Sequence, residues 1–369
     1  MKKQSLKPKR LMSLDALRGF DMLFIMGLTP LIVNICNLFP DSGVMAAISK
    51  QMYHVSWDGL THHDTIFPLF LFIAGISFPF SLANQRAKGK SSRDIYLKVL
   101  KRGIVLVLLG FVYNGFFKLD FESMRYASVL GRIGLAWMFA ALMFIFFKPK
   151  INAVLSVVIL VGYWLLMWLV PDSATPFSFE DNLVGVVDRM LLPGRLNSGT
   201  FDPEGILSTL PAIVTALLGM FTGTLVKLPD EKVGGNKKVL YMLIAGVVFL
   251  VVGYVWNFHF PINKSLWSSS FVCVLAGYSL LLFALFYYVI DVKGHVRWTF
   301  FFRVVGLNSI TIYLAQQIIN FRQISNFFLG GVVRLAPESV GAIISSVGYI
   351  TVCWLFLYFL YKKNVFLKV

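Results

Sequence analysis

Charge is scarce in this chain. Asp, Glu, Lys and Arg together make up 14% of its 369 residues, where a soluble domain carries about a quarter. Cysteine is scarcer still. Cys36, Cys273 and Cys353 fall in or near apolar runs, without metal-type spacing. They read as small buried hydrophobes, and nothing indicates a disulfide framework. No soluble domain and no internal repeat can be found.

What is present is apolar. Hydrophobic residues form 57% of the chain, and the mean hydropathy is +0.73. The apolar runs are about 20 residues long, the length a helix needs to cross the hydrocarbon, and they lack the period-2 alternation of a membrane barrel. The fold class is therefore all-α: a polytopic membrane helical bundle, read as a single transmembrane domain over residues 1–369. Ten spans are expected, at 11–37, 65–84, 101–117, 127–147, 151–170, 206–226, 239–258, 267–290, 303–320 and 338–361.

The net charge of +16 suggests nucleic acid until the charges are mapped onto the spans. With the N-terminus placed in the cytoplasm, the inner loops and tails hold 24 of the 34 Lys and Arg, and the outer face holds 8. This is the positive-inside asymmetry, and it puts both termini in the cytoplasm. The partner it implies is a lipid bilayer, not nucleic acid. A signal peptide fits poorly at the N-terminus, because Asp15, Arg18 and Asp21 interrupt its apolar core and no small-residue cleavage site follows.

The one long outward loop, 171–205, holds six acidic residues and two Arg. Its apolar middle, LVGVVDRMLL, predicts a short interfacial helix. A second outward excursion, 39–63, carries a helical stretch near Val44–Met52.

The polar residues that need explaining lie at or inside the spans, where an ionisable group is costly and marks a functional site by default. His54, Asp58, His62, His63 and Asp64 fall within eleven residues at the mouth of the second span. An imidazole is the side chain best suited to accept a proton at neutral pH. Taken alone, His54 reads first as an interfacial His bonded to a loop carbonyl. Asp64 has the residue type and place either to orient that imidazole or to cap the helix. His62 and His63 are adjacent and point apart on a helix, with no third ligand nearby, so no metal site is expected.

Other polar positions divide between structure and function in the same way. Asp15, Arg18 and Asp21 recur every three residues on one side of the first span, either as a self-neutralising stripe or as ligand contacts. Asp202-Pro203-Glu204-Gly205 reads as a helix start with Asp202 as N-cap, or as an acceptor site. Asn263, Lys264 and Trp267 precede the eighth span as interfacial anchors or site residues. Arg132 sits inside the fourth span, where an anchor role fits poorly. Asn308 and Ser309 are polar enough to glue helices together or to line a cavity.

Together, RLMSLDALRG, HVSWDGLTHHDTIFPLFLFIAG, VLGRIGLAWM, FDPEGILSTLPAIVTALLG, PINKSLWS with YYVIDVKG downstream, and GLNSITIYL resemble the heparan-α-glucosaminide N-acetyltransferase family of transmembrane acyltransferases and its bacterial relatives. The strings occur in family order across nearly the whole membrane domain. The resemblance implies acetyl-CoA bound from the cytosol as co-substrate, with no metal, and acetyl transfer to an amino-sugar nitrogen on the far side. The family's active-site His falls on His54, and its Trp-x-Gly and Asp fall on Trp57, Gly59 and Asp64. A bacterial inner-membrane location and a homodimer are further expectations from the resemblance. The chain departs from the family at Gln316 and Gln317, where the closing motif carries a His, and it starts close to the first shared span. A free amino sugar or glycan fragment of the cell envelope is therefore expected as acceptor, rather than native polysaccharide.

On this reading His54 is the general base and Asp64 its orienting partner. Asp15, Arg18 and Arg132 are the candidates to meet acetyl-CoA, the two Arg through its phosphates. Trp57, Asp58, Asp202, Glu204, Asn263, Lys264 and Asn308 are candidates for acceptor binding or oxyanion stabilisation. A covalent acetyl-His54 intermediate is the alternative to direct transfer. The rival function is a secondary transporter for an amino sugar or organic anion, which the intramembrane charges and the prolines Pro30 and Pro211 would suit.

Overall fold

The computed structural model describes residues 11–367 and is a helical bundle, with no β-strand among those residues. The basic segment 1–10 and Lys368, both used in the charge map, lie outside the described residues.

The first expected span is kinked but continuous. α1 (Met12–Leu23) passes through a π-helical turn at Phe24–Leu28 into α2 (Thr29–Cys36). Two residues account for the kink: Gly27 takes φ of 129°, and Pro30 lacks the N–H that a continuing helix would need. A short helix, α3 (Gly43–Lys50), follows near the stretch expected at Val44–Met52. α4 (His62–Ala87) begins behind Thr61 and runs through Pro68 and Pro79. α5 (Ser92–Tyr113) is closed at its N-terminus by a Ser91–Asp94 capping box. α6 (Val129–Phe146) is capped by Ser128, and α7 (Pro149–Leu169) opens on the proline that its first turn accommodates.

In the long loop, the expected interfacial helix is α8 (Leu183–Leu191), capped by Asn182. α9 (Thr209–Lys227), α10 (Gly235–Trp256) and α11 (Ser269–Tyr287) complete the middle of the bundle. α12 (Phe300–Leu307) and α13 (Ser309–Ile318) meet at Asn308 with a bend of 56°. α14 (Phe321–Leu335), which the span map lacks, packs antiparallel on α15 (Glu338–Lys362): Gly348 faces Ser325 and Leu329, and Gly341 faces Val333.

Among the described residues, eight helices are long and apolar enough to cross a membrane, or nine if the bent pair counts as one. The protein is an integral membrane protein. Each of the ten expected spans has a helical counterpart. The expected span 101–117 is displaced towards the N-terminus, within α5, whose first half carries Arg93, Asp94, Lys98, Lys101 and Arg102. Those charges keep α5 outside the apolar set.

α4, α9 and α11 are central, each with 67% of its span window buried, whereas α10 and α15 have 22%. The outer helices turn valines and leucines such as Val157, Val251 and Leu355 outward, as lipid-facing surfaces require. Glycine sets how closely the inner helices approach. Gly75 of α4 and Gly219 of α9 lie so close that a Cβ on either would run into the facing backbone. Gly19 of α1 and Gly306 of α12 make the same approach.

Candidate active site

His54 lies on the loop before α4, and its Nδ1 meets Asp64 Oδ1 at 2.6 Å. Asp64 stands at the third position of α4, within its first turn, so the N-cap is Thr61 and not Asp64. Its other oxygen accepts the Thr61 backbone N–H at 3.2 Å and the Thr61 hydroxyl at 2.8 Å. One buried carboxylate therefore meets the imidazole with one oxygen and closes the capping box behind Thr61 with the other, without being the N-cap itself. The contact places the imidazole proton on Nδ1 and leaves Nε2 as the basic nitrogen. Half of the His54 side chain is exposed (54%), whereas Asp64 is almost wholly enclosed. His54 lines a cavity of about 360 Å³ that also takes in His63, Trp57, Glu204, Lys264 and Tyr313.

Lys264 reaches the same pair from the loop before α11. Its Nζ is 3.2 Å from His54 Nδ1 and 3.6 Å from Asp64 Oδ1. Burial lowers the Lys264 pKa, and the charges of Asp64 and Glu204 oppose that shift. The loop carrying Lys264 is stitched to the His54 loop: Gly59 N–H donates to the Ile262 carbonyl at 2.8 Å, and Asn263 Nδ2 donates to Asp58 Oδ1 at 3.1 Å. Asn263 Oδ1 accepts the Leu266 N–H at 2.9 Å. The buried Asn263 amide is thus engaged at both ends and holds the loop. The adjacent His62 and His63 do part: His62 packs on Phe24, while the His63 ring lies 4.4 Å from that of His54.

The third wall is the end of the long loop. Arg125 grips Asp202 through Nε at 2.7 Å and Nη2 at 2.6 Å, and also binds Glu204. Burial alone would lower the Arg125 pKa, but the bonds and charges of the two carboxylates outweigh it and raise it. Asp202 is buried and accepts the Glu204 N–H at 2.9 Å, so Asp202–Gly205 is a turn, and α9 starts later, at Thr209. Asp202 therefore does not cap α9, whose N-cap is Ser208; its carboxylate holds Arg125 and the N–H groups of the turn instead. Behind it, buried Asp188 of α8 accepts the N–H groups of Asp202 and Ile206 at 3.1 and 3.0 Å. Desolvation raises the Asp188 pKa to about 6, with those two N–H bonds pulling the other way.

Arg132 does not join Asp15 and Arg18. It lies one turn inside the N-terminal end of α6, bonded to the Gly205 carbonyl and the Ser208 hydroxyl, with its guanidinium 5.0 Å from the centre of the Trp267 ring. Asp15 and Arg18 instead line a cavity of about 570 Å³ at the opposite, basic end of the bundle, together with Arg102, Asn308 and Ser77. Arg18 is 3.8 Å from Asp15 and donates to Ser77 Oγ at 3.2 Å. Arg102, absent from the sequence reading of the site, lies over Trp137 at 4.2 Å. Asp21 is buried on the same helix and lines neither of these two cavities.

The two cavities sit back to back. Phe67 faces the His54 cavity and Phe70 the basic one, about 4.5 Å apart along the axis of α4. On α6 the change falls between consecutive residues, Val129 and Leu130, and on α13 between Thr311 and Tyr313. The two cavities thus adjoin along α4, α6 and α13, one lined by Arg18 and Arg102, the other by the carboxylate-held imidazole with Arg125 and Lys264.

Comparison with curated proteins agrees with the resemblance read from the sequence. The chain is 29% identical to the heparan-alpha-glucosaminide N-acetyltransferase of Mus musculus over 374 residues, covering 86% of this chain and 56% of the mouse protein. It is 26% identical to the Homo sapiens protein of the same name over 424 residues, covering 98% and 60%. The chain thus spans less than two thirds of the length of these relatives, and it is a distant relative of both. No protein-family model matches it.

Proposed function

We propose that the protein is a membrane-embedded N-acetyltransferase that moves acetyl from acetyl-CoA, bound at the basic end, to the amine of an amino sugar at the His54 end. The observation that carries this reading is the pairing of His54 Nδ1 with buried Asp64 at 2.6 Å, in a cavity that adjoins the Arg18–Arg102 cavity along α4, α6 and α13. The distribution of Lys and Arg supports a cytosolic basic end and an outward-facing His54. In a bacterium this membrane is the inner one.

A nucleotide donor suits the basic cavity, since guanidinium groups bind phosphate through charge-assisted hydrogen bonds. An extended acyl-bearing arm would pass from the basic cavity to the adjoining one. In the outer cavity His54 Nε2 takes a proton from the neutral sugar amine as its nitrogen bonds to the thioester carbonyl carbon. Collapse of the tetrahedral species breaks the C–S bond, and the imidazolium returns the proton to the departing thiolate. Asp64 fixes the tautomer and balances the imidazolium charge. Lys264, whose Nζ lies 3.2 Å from His54 Nδ1, would stabilise the developing oxyanion, a role that the engaged Asn263 amide and the distant Asn308 do not fit.

The test is acetyl transfer by the purified protein in detergent, with labelled acetyl-CoA and glucosamine, beside His54→Ala. Label on the sugar amine is expected in wild type, with a loss of about 10²–10⁴-fold in the variant and CoA binding retained. Turnover preserved in His54→Ala removes His54 from the chemistry. Absence of CoA binding in wild type shifts the case to a transporter of the sugar itself.

A further inference from the structure

A second hollow, of about 550 Å³, opens beside the His54 cavity at the same end of the molecule, between the end of α7 and the start of the long loop. Trp57 lines both. Its indole is fixed, with Nε1 donating to the Phe177 carbonyl at 2.9 Å and the ring held edge-on by Phe179 and Phe201. Trp168 and Phe179 offer further aromatic surface to the hollow and are 52% and 38% exposed.

An exposed Trp at a helix end usually anchors the protein in the membrane interface. Two features here go beyond an anchor. The wall is preformed, because Ser173, Thr175 and Ser178 all donate to one oxygen of Asp181, at 2.8, 2.8 and 3.3 Å. The hollow also holds an exposed carboxylate, Asp58, oriented by Asn263, which an anchor inserted among lipids does not need.

We propose that this hollow is a second sugar subsite, holding the ring next to the one that is acetylated, so that the acceptor is an amino-sugar oligosaccharide of at least two rings. The proposal rests on the amino-sugar transferase reading above. A pyranose has an apolar C–H face that packs on the electron-rich face of an aromatic ring, and a rim of polar groups that needs partners. Trp168 and Phe179 supply the first surface. Asp58 supplies an acceptor for a hydroxyl or for the ammonium of a second amino sugar. Trp57, shared by both hollows, stands where the glycosidic link would pass.

The experiment compares glucosamine with its β-1,4-linked disaccharide, by calorimetric binding to wild type, Trp168→Ala and Trp168→Phe in detergent. Transfer from labelled acetyl-CoA is measured on the same preparations. Wild type is expected to bind the disaccharide at least about tenfold more tightly. Trp168→Ala should abolish that preference while leaving glucosamine binding and transfer unchanged, and Trp168→Phe should keep most of it. Equal affinity for one and two rings in wild type, no binding of the disaccharide, or equal loss of both sugars in Trp168→Ala would overturn the subsite. The preference with no label on either sugar would leave the subsite standing and overturn the transferase reading.

Discussion

Asp64 binds His54 with one oxygen and the Thr61 cap of α4 with the other, so the orientation of the imidazole is tied to the start of a central helix. Such a base depends on its tautomer as much as on its position.

Replacing Asp64 with Asn separates these two functions. The amide oxygen of Asn can keep the Thr61 N–H, and its NH₂ group then faces His54 Nδ1. That partner stabilises the tautomer protonated at Nε2, which cannot accept a proton from the amine. The expected result is a fall in kcat of about 10²–10³-fold, with stability reduced by no more than about 1 kcal/mol. Transfer assays and thermal melts of Asp64→Asn check both halves. Near-wild-type turnover would show that Asp64 only caps the helix.

The positions of the arginines set a second expectation. Arg18 and Arg102 line the basic cavity, whereas Arg132 lies outside it, bonded to Gly205 and Ser208. Loss of a charge-assisted hydrogen bond costs about 1.5–3 kcal/mol, so Arg18→Ala and Arg102→Ala should each weaken CoA binding by about tenfold or more. Folded Arg132→Ala should bind CoA within about twofold of wild type. Calorimetry with CoA on the three variants decides this. A large loss confined to Arg132→Ala would reverse the placement of the donor.

Much of this was readable in the sequence because the signals are local. An apolar run of about 20 residues marks a span wherever it lies, and His54 and Asp64 are only ten residues apart. Arg125 was missed because its meaning depends on Asp202 and Glu204, 77 and 79 residues away, and no periodicity reports such a partner. Arg132 is a different case. The alternation of the spans already put residue 132 near the outward end of the fourth, so grouping it with Arg18 went against the topology. Asn263 looked free in the sequence because its partners, Asp58 and the Leu266 N–H, appear only when two loops meet.

Close helix packing can be tested apart from chemistry. A methyl group on Gly19 would be driven into the Phe302 carbonyl of α12, a rigid backbone atom that cannot turn aside. Gly19→Ala should therefore separate α1 from α12 and cost about 1–3 kcal/mol, the usual range for overpacking. Both helices line the basic cavity, so CoA affinity should fall with the melting temperature. Gly43→Ala, where the added carbon meets nothing within 4 Å, is the control and should melt like wild type.

Asp188 gives the fold a pH dependence of definite sign. Its pKa is about 6 in the folded protein and about 3.9 in an unfolded chain. Below pH about 4 the group is protonated in both states and carries no penalty. As pH rises through about 6, the unfolded chain has already released its proton while burial resists that release in the folded state, so stability falls. Two pKa units correspond to at most about 3 kcal/mol. Asp188→Asn can still accept an N–H bond through its amide oxygen but cannot ionise. The difference in melting temperature between Asp188→Asn and wild type should therefore shift in favour of the variant from pH 4 to pH 7. A constant difference across that range would mean that Asp188 does not titrate there, and that its two N–H bonds hold it ionised throughout.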